Sequence, residues 1–547
     1  MKNILTKLIF TLLFFSSYNI IFSQENTNLT DIFRNSYSVY EHMRDPNTGV
    51  YQAKINLNNN NDLDLSSIAV NGMALVTVCV ADKMGWVSDA EDLVIRTLET
   101  LLSGTSGFTP DRNPTGYYRH FFSKTTGIGT SEYSTVDNAV FMSSVLFCKN
   151  YFSSHPKANE IATLADNLLN TIDWSVAVVD PDNDPTNKNG GIYLAINADG
   201  TGIGNNITRP YNEYILVAWL AYNQEQKSSS TGAAQRLWDK WYAQTANLYK
   251  VNYAGYDILT VKNLNFQAEH TYQMPYYLCN YYTTDSGGDL NGFGYLHYMK
   301  NIKNADKEWF KNTDAADNSI TIEPYEWAMS AGSGIDPDTG DLSKGYYSVD
   351  KINNNPYVIV SPHTMAAYMP TNPDSKNDIL SLYDNNKGVY GLPWDTSKKV
   401  IWRYSIKEPT WLAPKIQGVD FAPIIFGIAT LPEYCGSEFF KTYNDFNFSG
   451  GNLAVTEVSE SEFIHIYPNP IKNNRIIVQT NFNNQELRQI EVVNILGEIV
   501  YQKKIYCYAG NYNKTIELTS LNSGYYILIL QTNKNRFTKN ILVTKYN

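Results

Sequence analysis

The chain is poor in cysteine and histidine. Its five cysteines, Cys79, Cys148, Cys279, Cys435 and Cys507, are scattered over 547 residues without a C-x-x-C pair. That pattern excludes a disulfide scaffold and a cysteine-type zinc site. Cys79 and Cys148 fall inside apolar helical patterns and read as small core residues. None of the seven histidines stands in an H-E-x-x-H arrangement, so no catalytic zinc is expected. A glycine-rich phosphate loop and a G-x-S-x-G elbow are also missing. No metal and no organic cofactor is therefore expected. Positive charge is scarce: 43 Lys and Arg face 54 Asp and Glu, a net charge of −11. This argues against nucleic acid and anionic membrane surfaces as partners. Beyond the first 23 residues no run reaches roughly 18 apolar residues, so no membrane span is expected. No fixed repeat period appears, which disfavours a solenoid.

What is present begins with a targeting signal. Lys2 and Lys7 precede a largely apolar stretch from Leu8 to Phe22, and Ser23 is a suitable small residue before a cut. Residues 1–23 read as a secretory signal peptide. Hydrophobic content of 43% supports a large core, and the length suits one large domain with a small one. Tyrosine is abundant at 41 residues. Rings can stack on sugars, but Asn, Ile and Lys are frequent too, so position and not number has to carry a sugar argument.

Residues 24–450 alternate apolar helical patterns with Gly- and Asn-rich loops. Helices are predicted over Ile68–Met84, Val136–Tyr151, Ala158–Trp174, Glu213–Asn223, Ala233–Tyr249 and Phe421–Thr430, among about a dozen. An all-α array of this size closes most economically as a toroid of paired helices. A polar, acidic linker is expected over 451–465. Residues 466–547 alternate apolar and polar positions between turns and read as a small β-sandwich. Asp180–Gly191, "DPDNDPTNKNGG", has acidic spacing suggestive of calcium. It lacks the Gly and Glu of a calcium loop and reads as turns.

Two helix starts carry the candidate chemistry. Ser134 or Thr135 caps an apolar helix with Asp137 in its first turn. In "RPYNEYILVAWLAYN", Asn212 caps a second apolar helix with Glu213 just inside. Aromatic and basic residues precede each: Tyr117, Tyr118, Arg119 and His120 before one, Arg209 and Tyr211 before the other. If the inner helices of a toroid start on one rim, both carboxylates face one pocket. Paired carboxylates in an aromatic-lined pocket are what glycoside hydrolysis needs.

These segments resemble the glycoamylase-like domain family, which includes bacterial endo-β-1,2-glucanases. The collinear matches are Tyr117–Phe122, Ser134-Thr135-Val136-Asp137, Tyr211-Asn212-Glu213-Tyr214, His270–Gln273, Trp327–Gly334, Gly345-Tyr346, Val358–Pro370, Val389–Asp395 and Gly418–Ile428. The resemblance spans residues 30–430 and implies an (α/α)6 toroid acting on a β-linked glucan, with β-1,2-glucan the first-ranked substrate. Ser333 replaces the family's Asp and Phe421 falls in its "I-D-Q-G-P" motif; both changes are expected at the pocket rim. The tail, with Tyr467-Pro468-Asn469-Pro470, "NILGEIV" and "LNSGYYILIL", resembles a type IX secretion C-terminal sorting domain. That implies export, with a secreted or outer-surface location, and the type IX machinery as a partner.

The expected mechanism is inverting, with Glu213 as general acid and Asp137 as base acting through water. The carboxyls should then lie about 6.5–9.5 Å apart. An acid at a helix start needs help from desolvation, which Tyr211 and Tyr214 could supply. Glu132 and Asp420 are reserve bases. Substrate contacts are expected from Tyr117, Arg119, His120, Tyr211, His270, Tyr272, Trp327, Tyr346, Trp394 and Asp420. The alternative for each ring is ordinary packing, and for His270 a structural hydrogen bond. The rival functional readings are a surface glycan-binding protein without turnover and a polysaccharide lyase, which needs a Tyr or His base and a cationic pocket.

Overall fold

The computed structural model describes residues 27–447, apart from 60, 62, 187, 205, 228–231, 262–269, 284–292, 337, 343–345 and 348–354. It also describes 463–543, apart from 468–470, 472–473, 483–486, 495–497, 508–509, 519–520 and 533–535. The signal peptide, most of the linker, Pro468–Pro470 and Gly345 lie outside the described residues. The chain divides into two compact units, residues 1–448 and 449–547.

The first unit is built on helices. They are α1 (27–43), α2 (Ile68–Lys83), α3 (Ala90–Ser103), α4 (Thr135–Tyr151), α5 (Ala158–Leu169), α6 (Ile215–Lys227) and α7 (Ala233–Leu237). Then come α8 (His270–Leu278), α9 (Asn280–Thr283), α10 (Tyr295–Ala316), α11 (Pro362–Ala367), α12 (Ser375–Asp384), α13 (Gly418–Ala429) and α14 (Phe439–Tyr443). Two kinds of helix can be told apart by burial. In α2 every residue from Ile68 to Ala81 is buried, and α11 and nearly all of α13 are covered likewise. A helix apolar on all faces must sit inside the protein. In contrast α3 and α5 bury one stripe (Val94, Leu98 and Leu101; Ile161, Ala165 and Leu168) and turn polar residues outward. The buried helices contact one another in sequence: α2 with α4, α4 with α6, α6 with α8, α8 with α11, α11 with α13, and α13 back to α2. These contacts close a ring. The α2–α4 contact brings the buried Cys79 and Cys148 sulfurs to 3.5 Å, both as free thiols.

Several expectations change. Helix α1 has no counterpart among the predicted elements, although Leu29, Ile32, Phe33, Tyr37, Tyr40 and Met43 form its buried stripe. Ser36 is interleaved in that stripe and, with two tyrosines, blurs its apolar character. The helix predicted to reach Trp174 ends at Leu169, and the one predicted over Ala233–Tyr249 passes at Trp238 into a π-helical turn. The unit is also not purely helical. Short antiparallel strand pairs stiffen its loops, notably β1 (Lys54–Asn56) with β2 (Lys415–Gln417), in the register Lys54 opposite Gln417 and Asn56 opposite Lys415.

The second unit is β-rich. Its strands are β3 (Phe463–Tyr467), β4 (Arg475–Phe482), β5 (Leu487–Val493), β6 (Ile499–Cys507), β7 (Gly510–Glu517), β8 (Gly524–Thr532) and β9 (Arg536–Val543). They form two antiparallel sheets, ordered β3-β4-β7 and β6-β5-β8-β9. The period of two is visible in β4, where Ile476, Val478 and Thr480 are buried and Ile477 and Gln479 are half-buried. Ile476, Val478, Ile490, Val492, Leu528 and Leu530 from both sheets share one apolar core.

Candidate active site

The starts of the buried helices converge on one cavity. Its volume is about 410 Å³, and its walls include Val70 of α2, Asp137 of α4, His270 and Met274 of α8, and Asp420 of α13. Glu213 reaches it from the turn that leads into α6. Lys54 of β1 and Lys415 and Gln417 of β2 close another wall.

Asp137 is fixed by local chemistry. Ser134 is the N-cap of α4, and its hydroxyl donates to Asp137 Oδ2 at 2.5 Å while receiving the Asp137 N–H at 3.4 Å. This is a reciprocal cap, which satisfies a backbone donor that the helix start leaves open. The second carboxylate oxygen, Oδ1, lies 3.5 Å from His120 Nε2. His120 Nδ1 lies 2.7 Å from Glu132 Oε1, and its ring stacks on Phe121 with centroids 3.8 Å apart. The imidazole is thus held between two carboxylates. Burial raises the Glu132 carboxyl, but the hydrogen bonds from His120 and from backbone outweigh it and hold the group below its usual value.

Glu213 stands just outside its helix, which begins at Ile215 rather than at Glu213. The reason is local. Asn212 Oδ1 accepts the Tyr214 N–H at 3.2 Å, and the Asn212 and Glu213 carbonyls accept from Ile215 and Leu216, so the chain turns before it coils. Tyr214 connects the two candidate acids. Burial pushes its phenol above the ordinary value, and the charges of Glu213, Asp137 and Glu132 push it further. Three carboxylates therefore act on one ring. Beneath this turn, the Tyr211 hydroxyl bonds Tyr282 at 2.6 Å and the Thr271 carbonyl at 3.0 Å, with the Tyr272 and Tyr295 rings packed beside it.

Of the predicted substrate contacts, His120, His270 and Asp420 line the cavity with Asp137 and Glu213. Four aromatic predictions are corrected: Tyr117, Tyr211, Tyr272 and Trp327 are buried in the core. Tyr117 packs edge-on against Trp174, Tyr272 donates its hydroxyl to the Leu259 carbonyl, and Trp327 donates to Asp378 at 2.8 Å. In each case the ring meets core neighbours and not solvent. Arg119 points away, bonded to Asp111 at 3.1 Å and lying 4.1 Å over the Tyr133 ring. Trp394 stacks on His42 at 3.8 Å, outside the cavity walls. The Tyr346 side chain lies outside the described residues, although its strand pairs with Gly332–Ser333. Ser333 is buried directly behind the cavity wall, bonded to the Gln417 amide at 2.9 Å, whereas Phe421 faces the core against Trp402 and not the rim. Sequence reading missed Lys54, Phe121, Met274, Lys415 and Gln417. The aromatic run Tyr117–Phe122, which includes His120, could have pointed to Phe121; nothing local marks the two lysines.

The Asp180–Gly191 loop uses its acids internally. Arg236 binds Asp180 through Nε at 3.0 Å and Nη2 at 2.7 Å. Asp184 accepts Arg209 and the N–H groups of Thr186, Lys188 and Gly190. The bonds to Thr186, Lys188 and Gly190 are those of turns, and the two arginines tie the loop to its neighbours.

Comparison with known proteins gives the fold of the helical unit and the family of the tail. The helical unit has the fold of an endo-β-1,2-glucanase from Chitinophaga pinensis solved with sophorotriose and glucose: TM-score 0.62, 16% identity, covering 76% of this chain and 94% of that one. A β-1,2-glucanase from Parabacteroides distasonis gives TM-score 0.59 at 15% identity, over 77% of this chain and 58% of that one. A Bacteroides fragilis protein provisionally named a glucoamylase gives TM-score 0.60 at 16% identity, over 76% and 93%. No curated protein matches the sequence. Residues 465–544 match the secretion system C-terminal sorting domain, so the tail carries an export module of that family.

Proposed function

We propose that the protein is a secreted glycoside hydrolase that cleaves a β-linked glucan, β-1,2-glucan first, in the cavity of an (α/α)6 toroid. The observation that carries this reading is the delivery of Asp137 and Glu213 to one cavity by the starts of the adjacent helices α4 and α6. Glu213 protonates the glycosidic oxygen. Asp137 takes a proton from the water that attacks the anomeric carbon from the opposite face, so configuration inverts. The Ser134 hydroxyl and the His120 ring hold Asp137 in place, and Glu132 orients His120. Asp420 is the second candidate for the base. The sorting domain takes the protein through the type IX system, behind a signal peptide at residues 1–23.

The test is a screen of β-1,2-, β-1,3-, β-1,4- and β-1,6-glucans with product sizing and NMR of the first anomer formed. Glu213→Gln should lose about 100- to 10,000-fold in turnover. A native chain that binds a glucan and releases no sugar from any of them overturns the hydrolase in favour of a binding protein. A lyase reading gains support from Lys54, Lys415, His120 and His270 on the cavity wall. It predicts unsaturated products from an acidic polysaccharide, detected by the short-wavelength ultraviolet absorbance of the new conjugated double bond.

A further inference from the structure

Lys54 and Lys415 stand together on the cavity wall with no anionic partner among the described residues. They lie diagonally across the β1–β2 pair, since Lys54 faces Gln417 and Asn56 faces Lys415. Side chains opposite and two residues apart on such a pair share one face, so both lysines point the same way, roughly 7–8 Å apart. Ile55 and Ile416 project from the other face and are buried. Neither ammonium forms an ion pair or a side-chain hydrogen bond among the described residues. The groups that hold β2 in place are neutral: Ser333 donates to the Lys415 carbonyl at 3.1 Å and accepts from the Gln417 amide. Burial, and then the charge of Lys415, lowers the Lys54 ammonium below its ordinary value. Two like charges side by side at a half-buried wall repel, and an anion between them would relieve both. The cavity carboxylates come from other walls, on α4, α13 and the turn before α6, and Asp137 is already engaged by Ser134 and His120.

We infer that Lys54 and Lys415 form a subsite for an anionic substituent, a carboxylate, sulfate ester or phosphate ester, on the glycan that occupies the cavity. The inference rests on the reading of the cavity as a glycan site. A neutral glucan leaves this wall uncompensated; an acidic or esterified one uses it through charge-assisted hydrogen bonds.

Calorimetric titration of the full chain at low salt with glucose, glucuronic acid, glucose 6-sulfate and glucose 6-phosphate tests it. At least one anionic sugar should bind about tenfold tighter than glucose, and the preference should fall as salt rises. The anion preferred identifies the substituent. The preference should vanish in the Lys54→Gln/Lys415→Gln double variant and persist in Lys54→Arg/Lys415→Arg. If the double Gln variant does not fold, Lys415→Gln alone should weaken the preference. Equal affinity for glucose and all three anions, no binding of any anion, or a preference that survives the Gln changes overturns the subsite. Failure of the hydrolase reading shows separately: Glu213→Gln should keep the anion preference, and a chain that prefers anions but cleaves no glucan keeps the subsite and loses the hydrolase.

Discussion

Replacing Gly427 with alanine tests the helical ring at a close crossing of α11 and α13. Alanine is the better helix former, and in an open helix the change would stabilise by about 1 kcal/mol. Here a Cβ would lie 2.0 Å from the Ala366 carbonyl oxygen, 2.4 Å from its carbon and 2.9 Å from the Ala367 nitrogen. All three are backbone atoms of α11, and ordinary carbon contacts begin near about 3.5 Å. The clash cannot be relieved by a side-chain rotation, so α11 and α13 must part by more than about 1 Å along a buried face. Overpacking of this kind costs about 3 kcal/mol at the upper end of its usual range. Net destabilisation should be about 2 kcal/mol, because the clash outweighs the propensity gain. Asp420 rides on the first turn of α13, so turnover should fall along with stability. Gly72→Ala is the graded comparison. Its Cβ would meet Phe141 Cα at 2.7 Å and Ser144 Oγ at 3.0 Å, a milder clash, and it should destabilise less. Thermal and urea unfolding followed by circular dichroism give the order wild type, Gly72→Ala, Gly427→Ala. A higher melting temperature for Gly427→Ala would refute the reasoning, since propensity would then have won over packing.

Three further outcomes are expected. Ser134→Ala removes both a helix cap and a bond to Asp137; it should lower stability by about 1 kcal/mol and reduce kcat more than KM, read by unfolding and by steady-state kinetics. His120→Asn should reduce kcat with little change in melting temperature, because the ring faces the cavity and spans Glu132 and Asp137 instead of filling the core. Asp180→Asn should show a pH signature. The Arg236 hydrogen bonds lower Asp180 from 3.8 to about 2, so its contribution is present above the unfolded value and is lost as pH falls through the folded one. The gap in urea midpoint between wild type and variant should be small, as for a solvent-screened ion pair. It should be constant above about pH 5, shrink as pH falls from there through about 2, and close only below that.

The parts legible in the sequence were those written locally. A cap and an apolar stripe identify the start of α4 from about four adjacent residues, and alternation identifies the tail strands. The turn at Asn212–Tyr214 was legible as a helix start, but the two-residue offset before α6 was not, because Asn212 supports a cap and a turn equally well. The cavity wall made by β1 and β2 was illegible. Each strand has three residues, too short for a period, and they pair across more than 350 positions. The aromatic choices failed for a related reason. Tyr117, Tyr211, Tyr272 and Trp327 stand in aromatic and polar surroundings that suit a sugar, yet only the packing of the ring decides which face meets solvent. His270, Asp137, Glu213 and Asp420 reach the cavity because each sits at or just before a helix start. His120 is placed instead by backbone bonds, its carbonyl accepting from the Ile68 N–H and its N–H donating to the Glu132 carbonyl.

The tyrosine cluster under the Glu213 turn gives the protein an optical reporter of its own. Burial holds the phenols of Tyr211, Tyr282 and Tyr295 well above their ordinary value, and Tyr211 and Tyr282 share a hydrogen bond. In the folded chain they stay protonated in alkali that ionises exposed tyrosine. Tyrosinate absorbance should therefore appear in two stages: a gradual rise from exposed rings, then an abrupt step when the cluster opens. Tyr40, Tyr117, Tyr277 and Tyr404 are held up by burial in the same way. The pH of that step therefore reads the integrity of the helical unit, the floor beneath the candidate acid included, without a label or a substrate.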